Sequence, residues 1–216
     1  MNIHIKHTEP SRQIISRNIQ ALAVFAEEKS AAGSEAALLT FMFNNLSGSP
    51  AGLMAEMHDA VEQFYGSFLT RVVRYPRSPH SRDRLPVLLG AIDAPVASRR
   101  RSSPYEVRVN QGLHVHAVLI IRPGSRLRTS ADEYVRASVP LYLRDPRLAR
   151  VDARAVRHSP ARAVSYAFKS VLRGRVPYDQ SVIILPRAVS ELASARKKSS
   201  RAGYDRGATA SSAIVR

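Results

Sequence analysis

Apolar and polar positions alternate most regularly over Tyr105 to Ile121, YEVRVNQGLHVHAVLII, and the alternation predicts a β-hairpin turning at Asn110-Gln111-Gly112. On the second run Leu113, Val115, Ala117 and Leu119 share one face, and His114, His116 and Val118 share the other. Two imidazoles therefore project from one side of a single strand. With the loop at 110–112, Glu106 falls opposite His116 on that same face, and a one-residue slip in register would send it to the other. His114, His116 and Glu106 would then form an open, mixed nitrogen and oxygen site for a divalent cation. Asp93 and His80 are the alternatives to Glu106 as third ligand.

The rest of the chain alternates helical and extended patterns. Helical spacing predicts a helix over 11–29, with Ser11 as N-cap and Ile15, Ile19, Leu22 and Ala26 inward. A second is expected from Ser34 to about Gly48 through Leu38, Leu39, Met42 and Leu46, and a third from Pro50 to Tyr65. Residues 1–66 thus read as a helical N-terminal region. The period then changes: Ser67 to Tyr75, SFLTRVVRY, reads as a strand, followed by a basic loop and a strand over 85–92. Beyond the hairpin, Ser130 and Glu133 form a capping box opening a short helix over 132–137. A strand is expected over 150–156, a helix over 160–173 closed by Gly174, a strand over 181–185 and a helix over 187–198. Residues 199–216, poor in large apolar side chains, read as a disordered basic tail.

Composition adds a partner. The 216 residues carry 33 Lys and Arg against 17 Asp and Glu, a net charge of +16. Residues 1–65 hold four basic and seven acidic side chains; the remainder holds 29 and ten. The positive field accompanies the histidine hairpin and favours nucleic acid. Candidate backbone contacts are Arg71, Arg74, Arg99, Arg100, Arg101, Arg122, Arg162 and Arg173. No cysteine is present, which excludes disulfides, thiolate zinc sites and cysteine nucleophiles and suits a reducing cytoplasm. With no long apolar run and no secretory leader pattern, a membrane location is not expected.

On the helix over 160–173, Tyr166 and Lys169 are three residues apart and share a face. Phe68-Leu69-Thr70, then His114-Val115-His116, then Tyr166-Ala167-Phe168-Lys169 follow in order. Over roughly residues 67–185 this order resembles the HUH endonucleases, and among them the rolling-circle replication initiators. There, a hydrophobic strand ending in FLT-like residues precedes a His-hydrophobic-His motif and a Tyr-x-x-Lys helix. The resemblance implies an α+β fold: an antiparallel sheet of four or five strands in a ferredoxin-like core over 67–198, extended by N-terminal helices. The histidines would lie near the middle of the sheet, with helices covering one face and the tyrosine helix along the metal face.

The resemblance also implies chemistry. Such proteins nick single-stranded DNA through a 5′-phosphotyrosine link, with Tyr166 as nucleophile and a metal ion, Mn²⁺ or Mg²⁺, polarising the phosphate. Lys169 would offset charge on the phosphoryl oxygens. Tyr134, Tyr142 and Tyr178 are rival nucleophiles without a Lys or Gln at the matching offset. A single tyrosine implies a second protomer for a full strand-transfer cycle, a homodimer, and the absence of a Gly-rich nucleotide loop implies a helicase supplied by the host. Two other readings compete. One is a non-catalytic basic DNA-binding protein on the same scaffold. The other is a metal-independent tyrosine recombinase, which His158 to Arg162 only loosely suggests.

Overall fold

The computed structural model describes residues 10–95 and 109–187. Its centre is strand β3 (His114–Ile121), paired antiparallel on one edge with β1 (Glu35–Phe43) and on the other with β2 (Val87–Asp93). β4 (Leu148–Ala155) flanks β1 and β5 (Val182–Leu185) flanks β2, giving the order β4-β1-β3-β2-β5 with every neighbouring pair antiparallel. The chain order β1-α2-β2-β3-α3-β4, with α2 Pro50–Val72 and α3 Ala131–Ala137, is the β-α-β-β-α-β plan expected for this α+β fold.

Helices cover both faces of the sheet. Ala37, Leu39 and Phe41 of β1 and Val115, Ala117 and Leu119 of β3 pack under α2, α3 and the short α4 (Val139–Tyr142). The Phe64 ring of α2 sits at the centre of this layer, 4.9 Å from Phe41, 4.5 Å from Tyr142 and 6.0 Å from Phe68. On the opposite face Leu89, Ala91, Val118 and Ile120 pack against α1 (Arg12–Ala31), α5 (Pro160–Ala167) and α6 (Lys169–Leu172). A strand buried on both sides carries apolar residues at nearly every position, and β3 reads HVHAVLII for that reason.

Several expected elements form where the pattern places them. α1 starts at N-cap Ser11, whose hydroxyl accepts the Ile14 N–H, and buries Ile15, Ile19 and Ala26. The Ser130/Glu133 capping box opens α3. β2, β4 and β5 match the expected strands within a few residues, a short helix α7 (Tyr178–Ser181) leading into β5. The helix over 160–173 divides at Phe168 into α5 and α6.

Three expectations are corrected. Residues 35–43 form β1, not a helix: burial alternates along them, and Ala37, Leu39, Phe41 and Phe43 face the α2 layer. Leu38, Leu39 and Met42 do repeat at helical spacing, but a continuous apolar run fits a doubly covered strand equally, and pairing with β3 and β4 decides it. The N-terminal third is therefore not a helical extension, because it supplies a strand to the interior of the sheet, and a boundary at residue 66 falls inside α2. Second, Ser67–Val72 is helical. Phe68, Leu69 and Val72 continue the buried stripe of Met57, Val61 and Phe64 for two more turns, and that packing overrides the β propensity of the segment.

Third, β3 is not an arm of a 105–121 hairpin, since both its edges are taken by β1 and β2. The expected turn does form, as a 3₁₀ segment Val109–Gly112 with Asn110, Gln111 and Gly112 all at positive φ. Its role is different: the Asn110 carboxamide accepts the Leu46 N–H and donates to the Asn44 carbonyl, fastening the end of β1. The helix expected over 187–198 lies, from residue 188 onward, outside the described residues, as does the tail.

Candidate metal centre

β2 and β3 bring a third ligand to the two histidines. In the register of this pair Asp93 lies across from His114 and Ala91 across from His116; on the other edge Thr40 of β1 is across from His116. Asp93 Oδ2 is 3.1 Å from His114 Nε2 and 3.6 Å from His116 Nε2, and the two Nε2 atoms are 3.1 Å apart. One donor atom from each of Asp93, His114 and His116 lies within 4.8 Å of the others. Adjacent ligands of an ion about 2.1 Å from each donor are roughly 3 Å apart, so the spacing fits a shared divalent cation.

The hydrogen bonds behind the imidazoles fit the same use. His114 Nδ1 donates to the Gly112 carbonyl at 3.0 Å, which turns Nε2 toward the cluster, where a metal ion would take the place of the Nε2 proton. His116 Nδ1 is 3.1 Å from the Thr40 hydroxyl, and with that oxygen accepting, Nε2 of His116 is free to ligate. Burial pushes His116 down to about 3, the charges of His114 and Lys169 adding to it against the opposing pull of Asp93. Burial alone would raise Asp93, but hydrogen bonds from His114, Lys169 and Ser170 outweigh it and hold the carboxyl well below the usual carboxylate range. The structure thus supplies a neutral imidazole and a charged carboxylate, the protonation states a hard or borderline cation requires.

Asp93 is also held from α6. The Ser170 hydroxyl donates to its Oδ1 and accepts the Ala94 N–H. Lys169 Nζ donates to Oδ2 at 2.5 Å and also stands over the Tyr166 ring, 4.1 Å from its centroid. The Tyr166 ring packs on His116 with centroids 4.9 Å apart, and with 45 % of its surface exposed it borders solvent. A cavity of about 350 Å³ opens beside it, lined by Leu38, Thr40, His116, Asp152, Arg154 and Tyr166.

The structure therefore brings together His114, His116, Tyr166 and Lys169 of the expected site. Glu106 lies outside the described residues; the ligand the structure assembles is Asp93, one of the two alternatives. His80 belongs to the 3₁₀ segment Pro79–Arg84 and is not part of the cluster. Of the arginines, Arg162 shares α5 with Tyr166, four residues earlier, whereas Arg71 ends α2, and Arg74 and Arg122 lie beyond α2 and β3. Arg173 follows α6, and Arg99, Arg100 and Arg101 fall outside the described residues. Thr40, Asp152 and Arg154 were not foreseen. Thr40 interrupts the apolar run of β1 between Leu39 and Phe41, while Thr70 bonds its own helix at the Ser67 carbonyl. Once 35–43 is read as a strand, alternation alone puts Thr40 on the histidine face.

Compared with protein-family models, curated proteins and solved structures, the chain matches none. Among the described residues no helix is long and apolar enough to cross a membrane.

Proposed function

We propose that the protein is a metal-dependent endonuclease and strand transferase that nicks single-stranded DNA through a 5′-phosphotyrosine intermediate, in rolling-circle replication of a plasmid, phage or mobile element. The observation that carries this reading is the packing of the Tyr166 ring against His116, with Lys169 lying between that ring and Asp93. A nucleophile, a cation and a ligand triad share one solvent-bordered wall of the sheet. Asp93, His114 and His116 would hold Mn²⁺ or Mg²⁺, which when bound supplies Lewis-acid polarisation of the scissile phosphate.

The chain's own residues do the remainder. Tyr166 Oη attacks phosphorus; an O–P bond forms as the P–O3′ bond breaks, the phenolic proton leaves and the departing 3′ oxygen takes one up. Lys169, over the Tyr166 ring, screens charge on the phosphoryl oxygens. Thr40 and the Gly112 carbonyl orient the imidazoles, and Arg154 beside the cavity and Arg162 on α5 offer cations to the strand backbone. The phosphotyrosine bond conserves the phosphodiester's energy, so a free 3′-hydroxyl can reverse the step without ATP.

The test is to incubate the full chain with a pool of labelled single-stranded oligonucleotides and Mn²⁺ and to sequence whatever becomes covalently attached. An adduct is expected in Mn²⁺ or Mg²⁺, absent with EDTA and absent in Tyr166→Phe, which retains non-covalent binding. A wild type that binds every oligonucleotide without an adduct would identify a non-catalytic DNA-binding protein. Cleavage indifferent to EDTA would point to a tyrosine recombinase.

A further inference from the structure

A second basic surface lies at the other end of the sheet. β3 carries the histidines at its start and ends at Ile121, roughly 23 Å further along at the usual rise per residue. There the C-terminus of α2, the 3₁₀ segment Pro79–Arg84 and the loop after β3 are fastened together. The Arg126 N–H donates to the Val72 carbonyl at 3.0 Å, and Arg122 Nη1 donates to the Asp83 carbonyl at 2.9 Å. Arg71, Arg74, Arg77, Arg122 and Arg126 collect on this end, and among the described residues none of them is ion-paired with a carboxylate. Unpaired arginines held together repel one another, a cost that an anionic partner would relieve.

The same end carries an apolar cleft of about 600 Å³, floored by Gly66, Leu69 and Pro76 and edged by Tyr75, Arg74 and Arg77. Tyr75 is 64 % exposed, and the Arg74 guanidinium stands over its ring at 5.4 Å. Gly66 sharpens the point. It sits inside the 23-residue helix α2, where glycine costs up to about 1 kcal/mol relative to alanine, yet nothing lies within 4 Å of where its Cβ would be. No neighbouring segment needs that space; its effect is to keep the cleft floor open.

We propose that this cleft binds single-stranded nucleic acid, a base stacking on Tyr75 over the Gly66 floor while Arg74 and Arg77 take the adjoining phosphates. A flat apolar slot walled by an aromatic ring and rimmed by guanidinium groups matches a nucleotide's alternation of π-surface and charge. The site is separate from the metal centre and stands whether or not Tyr166 ever forms an adduct.

The test uses the full chain in EDTA with an oligo-dT 20-mer carrying 5-iododeoxyuridine, cross-linked by light and mapped by mass spectrometry. Cross-linking to Tyr75 is expected, unchanged in Tyr166→Phe and in His114→Ala. It should fall about tenfold in Gly66→Leu, which fills the cleft while improving helix propensity, and about as much in Arg74→Ala combined with Arg77→Ala. That double variant should also lower the salt dependence of binding, read by fluorescence anisotropy, by about 1.4 in log–log slope. Cross-links confined to the Tyr166 wall overturn the proposal. So does tight binding to phosphatidylcholine–phosphatidylserine vesicles that needs Tyr75 while oligonucleotide binding does not.

Discussion

The two faces of β3 are built from one strand of eight residues and have opposite characters. Facing α2 are Val115, Ala117, Leu119 and Ile121, all buried among apolar neighbours that include Phe41 and Phe64. On the other face the strand opens with His114 and His116 and becomes apolar only at Val118 and Ile120 under α1 and α5. His116 is nonetheless 6 % exposed and Asp93 beside it 3 %. Burial of polar groups is tolerated only with partners, and here Thr40, Ser170, Lys169 and the Gly112 carbonyl provide them. One face secures the fold through packing; the other spends part of that stability holding a ligand triad in a fixed arrangement.

The largest expected effect tests whether the faces are separable. Phe64→Ala removes the central ring of the α2 layer and should cost about 3–5 kcal/mol of stability, read from the shift in urea midpoint. Affinity of the surviving folded protein for Mn²⁺, by calorimetric titration, should change less than threefold. A metal affinity that collapses with Phe64 would show that the aromatic layer sets the ligand geometry, and the division between faces would fail.

What could be read from the chain before folding divides along the same line. Alternation identified β3 and its histidine face, and helical spacing identified α1 and the start of α2, because those patterns are local. β1 escaped because a strand covered on both sides has no polar alternation, so Leu38, Leu39 and Met42 mimic a helical stripe. The end of α2 escaped because Phe68, Leu69 and Thr70 suit a strand by propensity and a helix only by packing. The third ligand depended on which strand pairs with β3, a long-range choice: Asp93 was visible as a carboxylate at a strand end, but only the β2–β3 register brings it to His114.

A smaller effect comes from acidifying the metal-free protein. Burial, helped by the charges of His114 and Lys169, pushes His116 down to about 3 in the folded state, against about 6.5 unfolded. Below the unfolded value the unfolded chain binds the proton and the folded chain does not. His116 therefore contributes stability that is complete above pH 6.5 and is lost as pH falls toward 3. Asp93, also depressed, adds a loss that begins near the ordinary carboxylate value of about 4. Between pH 7 and 4.5 the His116 contribution should amount to about 2–3 kcal/mol, measured as a drop in urea midpoint that His116→Gln flattens. An equally steep decline in His116→Gln would assign the acid sensitivity to other groups and remove the electrostatic contrast between the faces.

The smallest effect isolates orientation from ligation. Thr40→Val keeps the β-branched shape and the strand propensity of β1 but removes the hydroxyl 3.1 Å from His116 Nδ1. Val cannot accept the Nδ1 proton, so the neutral ring loses its reason to keep Nε2 unprotonated and turned toward Asp93. Loss of such a supporting bond typically weakens metal binding 10- to 100-fold; with His114 and Asp93 intact, about tenfold is expected. Thr40→Ser should recover most of it, since the hydroxyl returns although a methyl is lost. Nitrogen-15 chemical shifts of His116 in the metal-free protein would report the tautomer directly, moving in Thr40→Val and reverting in Thr40→Ser. If neither the shifts nor the affinity respond, Thr40 merely fills space beside the imidazole, and β1 contributes to this face only the packing it already gives to the other.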